Sequence, residues 1–356
     1  MKLGMIKNDC DLKGFEYVKG KGLEFIELCC NYTPDAQGFI SRKDELKKLI
    51  ADTGIPILSV GRWNGEGGPL DETGAIKQDL LEEAKQVITT CSELGCPVYN
   101  CGCNFVEGLS LFRNYENAIK YFGELIEFAK PLNVKIATYN CHWNSFVDNM
   151  SAWEVIHGEL KELGIKFDAS HSINGGRDYY EEIKKWGHRF YHVHVKGSLN
   201  VNGAHVDDPP AGLDMINWRA ILGLLYAARY DGTLSIEPHS NTWQGDLGER
   251  GLDLTIRYMK SLKTIIPKEK INFISGELIS SPVKSSSQRF YIASLKVNYV
   301  QSVEKIKSSS SGIQQIFIPT EMAEVFMPGK LYSNVKKENA FFYLKNKQVM
   351  RIKKRK

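Results

Sequence analysis

The sequence predicts an α/β fold, a (β/α)8 TIM barrel over residues 1–266, followed by a small all-β domain over residues 267–356 whose strand spacing suits an OB-like barrel. Three observations carry this. Short β-rich runs alternate with amphipathic helical stretches eight times, as a parallel sheet wrapped by helices requires. The first run, in MKLGMIKNDCD, is not followed by the Gly-rich phosphate turn that an open doubly wound sheet usually carries. At Pro267 the helical pattern stops, and both composition and charge change.

Taken in order, the strand runs are Lys2–Ile6, Phe25–Cys30, Pro56–Gly61, Pro97–Gly102, Lys135–Asn140, Lys166–Ser170, Phe190–Lys196 and Leu234–His239. Helical periodicity follows them in DELKKLIADTG, DLLEEAKQVITTCSELG, NYENAIKYFGELIEFAK, SAWEVIHGELKELG and INWRAILGLLYAARYDG, with Gly54, Gly95, Gly164 and Gly232 as expected helix C-caps. The helix GERGLDLTIRYMKSLKTII completes the eighth unit. Beyond it, five β-like runs are separated by Ser-rich or Gly-containing turns.

Composition excludes several classes. The chain is 42% hydrophobic and 25% charged, inside the globular range, and no apolar run approaches the roughly 20 residues that span a bilayer. The N-terminus lacks the apolar core of a secretory signal, which points to the cytoplasm. All eight cysteines lie in the first 141 residues without paired zinc-ligand spacing, so they read as reduced, mostly buried thiols. Residues 267–356 carry 17 Lys and Arg against 6 Glu and no Asp, which is +11; with +4 on the whole chain, residues 1–266 hold −7. An acidic barrel is a poor match for a phosphodiester backbone. The basic tail is another matter: Phe290, Tyr291, Phe341, Phe342 and Tyr343 could stack on single-stranded nucleic acid, but a structural, subunit-contact or accessory module is the stronger reading.

Working residues of such a barrel project from the C-terminal ends of its strands. Polar residues interrupt the last four runs there: Asn140 and His142 in ATYNCHW, Asp168 and His171 in FDASH, His192, His194 and Lys196 in YHVHVK, and Glu237 and His239 in SIEPHS. A lone strand histidine is more often structural, and a lone carboxylate often caps a helix. An Asp, a His and a Glu on three successive strand ends form a mixed N/O set that suits Mn, Mg, Co or Zn.

FDASHS, HVHVKG, DDPPAGLDMINW and SIEPHS together resemble the sugar phosphate isomerase/epimerase family of xylose-isomerase-like barrels, over residues 1 to about 266. The resemblance implies a divalent ion, most often Mn, and matches Asp168, His194 and Glu237 to three of its ligands. The family's strand-five Glu is replaced by Asn140, followed by His142, so either of these completes the shell. The implied activity is isomerisation or epimerisation of a sugar or sugar phosphate through a metal-stabilised enediolate, with Glu237 as base and His142, His171 or Lys196 as acid or oxyanion partner. Loss of one carboxylate weakens the two-base epimerase scheme. TYNCHW is also partly similar to inosose dehydratases of the same superfamily, which makes a lyase acting on a keto-polyol or keto-glycoside the alternative; a non-catalytic sugar-binding barrel is a third reading. The abasic-site endonucleases of the superfamily use extra ligands that are not evident here. For substrate contacts the sequence offers Glu27, Trp63, Trp143, Arg177, Asp207, Asp208 and Trp243, each also compatible with ordinary packing, pairing or turn capping. Dimers or tetramers are common in the resembling family, so a homo-oligomer is expected.

Overall fold

The structure is a computed structural model; it describes residues 1–8 and 11–263 with their side chains, and beyond them the backbone of five short strands. Eight parallel strands close into a barrel in chain order: β1 (Lys2–Ile6), β2 (Ile26–Cys30), β3 (Ile57–Arg62), β4 (Val98–Cys101), β5 (Lys135–Tyr139), β6 (Gly164–Asp168), β7 (Phe190–Val195) and β10 (Thr233–Ile236). Closure is made by β10 against β1, with Leu3 opposite Leu234 and Met5 opposite Ile236. Strands buried on both faces read as near-continuous apolar runs; in ILSVGR and FYHVHV the polar Ser59, Arg62, His192 and His194 are buried with polar partners.

The outer helices follow their predicted stripes. On α4 (Gln78–Glu93), Leu81, Ala84, Val87, Ile88 and Cys91 are buried at three- and four-residue spacing; on α5 (Leu111–Ala129), Ala118, Phe122, Leu125, Ile126 and Ala129 are. Truncating one fully buried member, such as Leu125→Ala, removes about 2–5 kcal/mol. Two expected caps fall elsewhere. Helix α6 (Met150–Glu159) ends on Leu160, and Gly164 instead opens β6, where a Cβ would lie 2.0 Å from the Tyr191 ring. Helix α9 (Trp218–Ala227) ends on Ala228, so Gly232 only precedes β10. Gly54 does cap α3 (Lys43–Thr53), in the left-handed conformation with φ of 73°.

A two-stranded hairpin, β8 (Leu199–Val201) and β9 (Ala204–Asp207), is inserted between β7 and α9. Its turn residues Asn202 and Gly203 both have positive φ, 52° and 80°, as a tight hairpin turn demands. Among the described residues, the seven described cysteines form no disulfide and no helix is long and apolar enough to cross a membrane.

The chain divides into two compact units, Met1–Leu262 and Lys263–Lys356. In the second, β11 (Pro282–Ser285), β12 (Gln288–Ser294), β13 (Gln314–Ile316), β14 (Ala340–Tyr343) and β15 (Val349–Ile352) make one sheet in the order β11-β12-β14-β15-β13. Pro267, the intervening turns and the tail's aromatic side chains, on which the OB-like and nucleic-acid expectations rest, lie outside the described residues.

Candidate metal centre in the barrel mouth

Strand register assembles the centre. β7 sets His194 beside Asp168 of β6 on one side and Ser235 of β10 on the other, and Glu237 follows β10 directly. Because side chains alternate along a strand, Lys166 and Asp168 share the inner face of β6, as His192 and His194 share that of β7. His194 Nδ1 lies 3.0 Å from Glu237 Oε2 and 3.7 Å from Asp168 Oδ2. Asp168 caps the short helix α7 (Ala169–Asn174) with Oδ1, which accepts from the Ser170 N–H at 2.9 Å and its hydroxyl at 2.7 Å. Its other oxygen, Oδ2, is buried without a hydrogen-bond partner. An orphaned carboxylate oxygen, an imidazole nitrogen and a second carboxylate, all within 4.8 Å of one another, fit a divalent ion.

Beneath this cluster lies a closed polar layer. Glu27, fully buried near the start of β2, accepts from His192 Nε2 at 2.8 Å and His194 Nε2 at 2.9 Å through Oε2, and from the Ser59 hydroxyl at 3.2 Å through Oε1. His192 Nδ1 meets the Thr233 hydroxyl at 2.6 Å. With Nε2–H of His194 donated to Glu27, its Nδ1 would offer a lone pair to an ion once the proton it shares with Glu237 Oε2 is given up; carboxylates behind ligating histidines fix tautomers in this way. Burial alone would raise the Glu27 pKa, but the two imidazoles hold it well below the usual carboxylate range. Glu27 is therefore enclosed below the cluster and does not stand on a substrate-facing surface, contrary to its expected role. The second grouping of possible donors, Glu27, His192 and His194, is accounted for by these hydrogen bonds.

The two expected replacements for the family's fourth ligand are both placed away from the cluster. Asn140, 1% exposed, donates from Nδ2 to the Asp168 carbonyl at 2.8 Å and the Ser172 hydroxyl at 3.1 Å, and accepts at Oδ1 from the Asp168 N–H at 2.8 Å. Its amide fastens the end of β5 to the backbone that carries Asp168. The His142 side chain is 89% exposed and bonds through Nδ1 to Asp148 at 2.9 Å.

Above the cluster opens a cleft of about 1020 Å3 lined by Trp63, Trp143, Trp243, His171, Lys166, Lys196 and Glu237. Lys166 did not stand out in the sequence, although a lysine two residues before Asp168 in an otherwise apolar strand was a usable signal. Its Nζ lies 5.2 Å from the Trp63 ring centroid and 3.9 Å from Asp168 Oδ2; Lys196 Nζ lies 3.9 Å from Glu237 Oε2. Burial would raise both carboxyls, yet the cations outweigh it: Asp168, beside His171, Lys196 and Lys166, is held at about 2, and Glu237, beside Lys196 and His194, well below its ordinary value. Burial pushes His171 down to about 4. Cys29 and Cys141 also face the cleft, their thiols pushed up by burial and so kept protonated.

The remaining expected contacts sit to the side. Arg177 donates from Nε to Glu182 at 2.9 Å and from Nη2 to the Asn140 carbonyl at 3.4 Å, so its guanidinium supports the scaffold. Asp207 accepts from the Ser240 hydroxyl at 2.7 Å, and Asp208 bonds His205 at 2.8 Å and His239 at 3.0 Å, which ties the hairpin to the loop after β10.

A closed parallel barrel whose mouth brings an aspartate, a histidine and a glutamate together defines a TIM barrel with a candidate metal centre. The chain belongs to the xylose isomerase-like TIM-barrel family, whose model matches residues 15–262. No curated protein matches it in sequence. Solved structures similar to it include the 3-keto-D-glucoside 4-epimerase of E. coli (16% identity, 74% of this chain and 99% of that one, TM-score 0.57). A probable 3-DHS dehydratase of Bacillus anthracis is similar at 15% identity, over 73% of this chain and 99% of that one, with TM-score 0.57. A xylose isomerase-like barrel of Mycobacterium smegmatis in complex with magnesium is similar at 18% identity, over 71% and 88%, with TM-score 0.55. At these identities the likeness establishes the fold.

Proposed function

We propose that the barrel is a divalent-metal-dependent enzyme that removes a proton next to the carbonyl of a sugar or related polyol, as an isomerase or epimerase. The observation that carries this reading is the convergence of Asp168 Oδ2, left without a hydrogen bond, with His194 Nδ1 and Glu237 Oε2. Mn is the first candidate, then Mg, Co or Zn. A divalent ion held there would polarise the carbonyl and its neighbouring hydroxyl and lower the cost of an enediolate. Glu237, ionised and with Oε2 turned to the His194 side of the cluster, takes the substrate proton with Oε1. Lys196 and His171 face the same cleft and donate to, or accept a proton from, the substrate oxygens. Trp63, Trp143 and Trp243 offer apolar faces to a sugar ring. Return of the proton to the adjacent carbon isomerises; return to the opposite face epimerises.

A specific observation favours a second reading, a lyase acting through the same abstraction. The Asn140 amide is spent on the Asp168 backbone and the groups flanking Glu237 are ammonium and imidazole, so the mouth has one carboxylate base with proton donors around it. That suits expulsion of a β-leaving group. Elemental analysis of wild type, Asp168→Ala and Glu237→Ala tests the metal; near-stoichiometric Mn, Co or Zn lost in both variants supports the reading, and a wild type that stays metal-free after supply of micromolar Mn or Co sinks it. Incubating keto-sugars in heavy water then separates the two outcomes, since isomerisation or epimerisation retains all heavy atoms and elimination does not.

A further inference from the structure

Two nearly enclosed cationic side chains line the cleft in the mouth. Lys166 is 2% exposed and Lys196 5%, and neither ammonium donates a hydrogen bond to any described residue. Each instead stands 3.9 Å from one carboxylate of the metal cluster, Lys166 from Asp168 and Lys196 from Glu237, and both line the cleft. Two ammonium groups at the wall of one cleft are a preformed cationic contact for an anion that enters it. A divalent ion on Asp168 and Glu237 would take up the charge that now faces the two lysines and leave them more in need of an anion. Trp63, under Lys166, supplies a ring face and no acceptor.

We propose that Lys166 and Lys196 form a seat for a carboxylate of the substrate, so that the enzyme takes a keto-sugar acid in preference to a neutral sugar. The inference rests on the metal-dependent reading above and narrows its substrate class. The lysines project from adjacent strands, β6 and the end of β7, and bracket the reacting centre, so the carboxylate they hold is joined to the carbon skeleton close to the carbon that loses its proton. A phosphate ester fits less well. The cleft has no Gly-rich cradle, and Arg177, the residue with a fork suited to phosphate, is spent on Glu182 and the Asn140 carbonyl.

The test is titration calorimetry of the manganese-loaded full chain with D-gluconate, sorbitol and sorbitol 6-phosphate, three six-carbon polyols that lack a reactive carbonyl. Gluconate should bind about 10- to 100-fold more tightly than sorbitol, the range of one or two hydrogen bonds to a charged group. Lys166→Met and Lys196→Met should each shrink that preference by about tenfold. Equal binding of gluconate and sorbitol overturns the proposal, as does a preference that survives both substitutions, because it would place the carboxylate on the ion. Tighter binding of the phosphate ester overturns it too. If Lys166→Met fails to melt cooperatively, Lys166→Gln, which keeps the stem and loses the charge, replaces it. Manganese content of the same samples judges the metal separately: a manganese-free wild type that still prefers gluconate through the lysines supports the seat and refutes the metal reading.

Discussion

Glu27→Gln isolates the layer that aims the metal ligand. The substitution keeps side-chain volume and removes one charge at a fully buried site. In the wild type, Glu27 Oε2 accepts from both His192 Nε2 at 2.8 Å and His194 Nε2 at 2.9 Å, and Oε1 accepts from Ser59 at 3.2 Å. An amide has a single oxygen: set at the Oε2 position it still accepts from both imidazoles, but its uncharged N–H groups then face Ser59 and the second His194 Nε2 contact, 3.1 Å from Oε1, so the hold on the His194 tautomer weakens. A His194 that flips carries its proton on Nδ1 and ceases to be a ligand. Loss of one charge-assisted hydrogen bond costs about 1.5–3 kcal/mol in stability, and loss of the carboxylate behind a ligating histidine lowers metal affinity about 10- to 100-fold. Competition for manganese with a chromophoric chelator measures the second quantity; guanidinium unfolding of metal-free protein measures the first. Ser59→Ala is the control, because it removes only the longest of the bonds to the Glu27 carboxylate and should change manganese affinity less than about threefold. Manganese affinity in Glu27→Gln within twofold of wild type would refute the tautomer argument.

Three further outcomes follow from the same geometry. Glu237→Gln should lower turnover of any keto-sugar substrate by at least about a thousandfold, more than it lowers manganese affinity; equal losses in the two assays would remove Glu237 from proton transfer and leave it a ligand only. Asn140→Ala, which cuts three buried hydrogen bonds between β5 and the Asp168 segment, should destabilise the fold by about 2–3 kcal/mol in urea and weaken manganese binding, because Asp168 loses its anchor. His157, fully buried between α6 and β5 with its pKa pushed down to about 3 by burial, stays neutral in the folded state, whereas an unfolded histidine titrates near 6.5. Its neutral form therefore contributes fully above about pH 6.5, and stability drains away as pH falls from there toward 3, by up to about 1.4 kcal/mol per unit. The stability gap between wild type and His157→Phe should narrow by that slope between about pH 6 and 4; a gap that does not depend on pH would show that another group governs acid unfolding.

Much of the centre was legible residue by residue. Backbone geometry sets a period of two along a strand, so FDASH and YHVHVK already place Asp168 at a strand end and His192 with His194 on one face, and the eightfold alternation already implies a barrel whose mouth collects such ends. The family resemblance carried Asp168, His194 and Glu237 together, and the structure brings these three into one cluster. What could not be read was how polar residues pair across the closed barrel. Glu27 and His192 are 165 positions apart and meet only because β2 and β7 face each other across the barrel interior. Asn140 looked like a substitute ligand because its position in the motif is that of one; whether an amide faces an ion or a neighbour's backbone depends on the contact between β5 and β6. Lys166 passed for a strand residue until the interior placed it beside Asp168 on the wall of the cleft. Periodicity within an element is a local property of the chain and is written in the sequence. Partner choice among buried polar groups is a property of barrel closure and register, and it is decided by which donors and acceptors are left when water has been excluded.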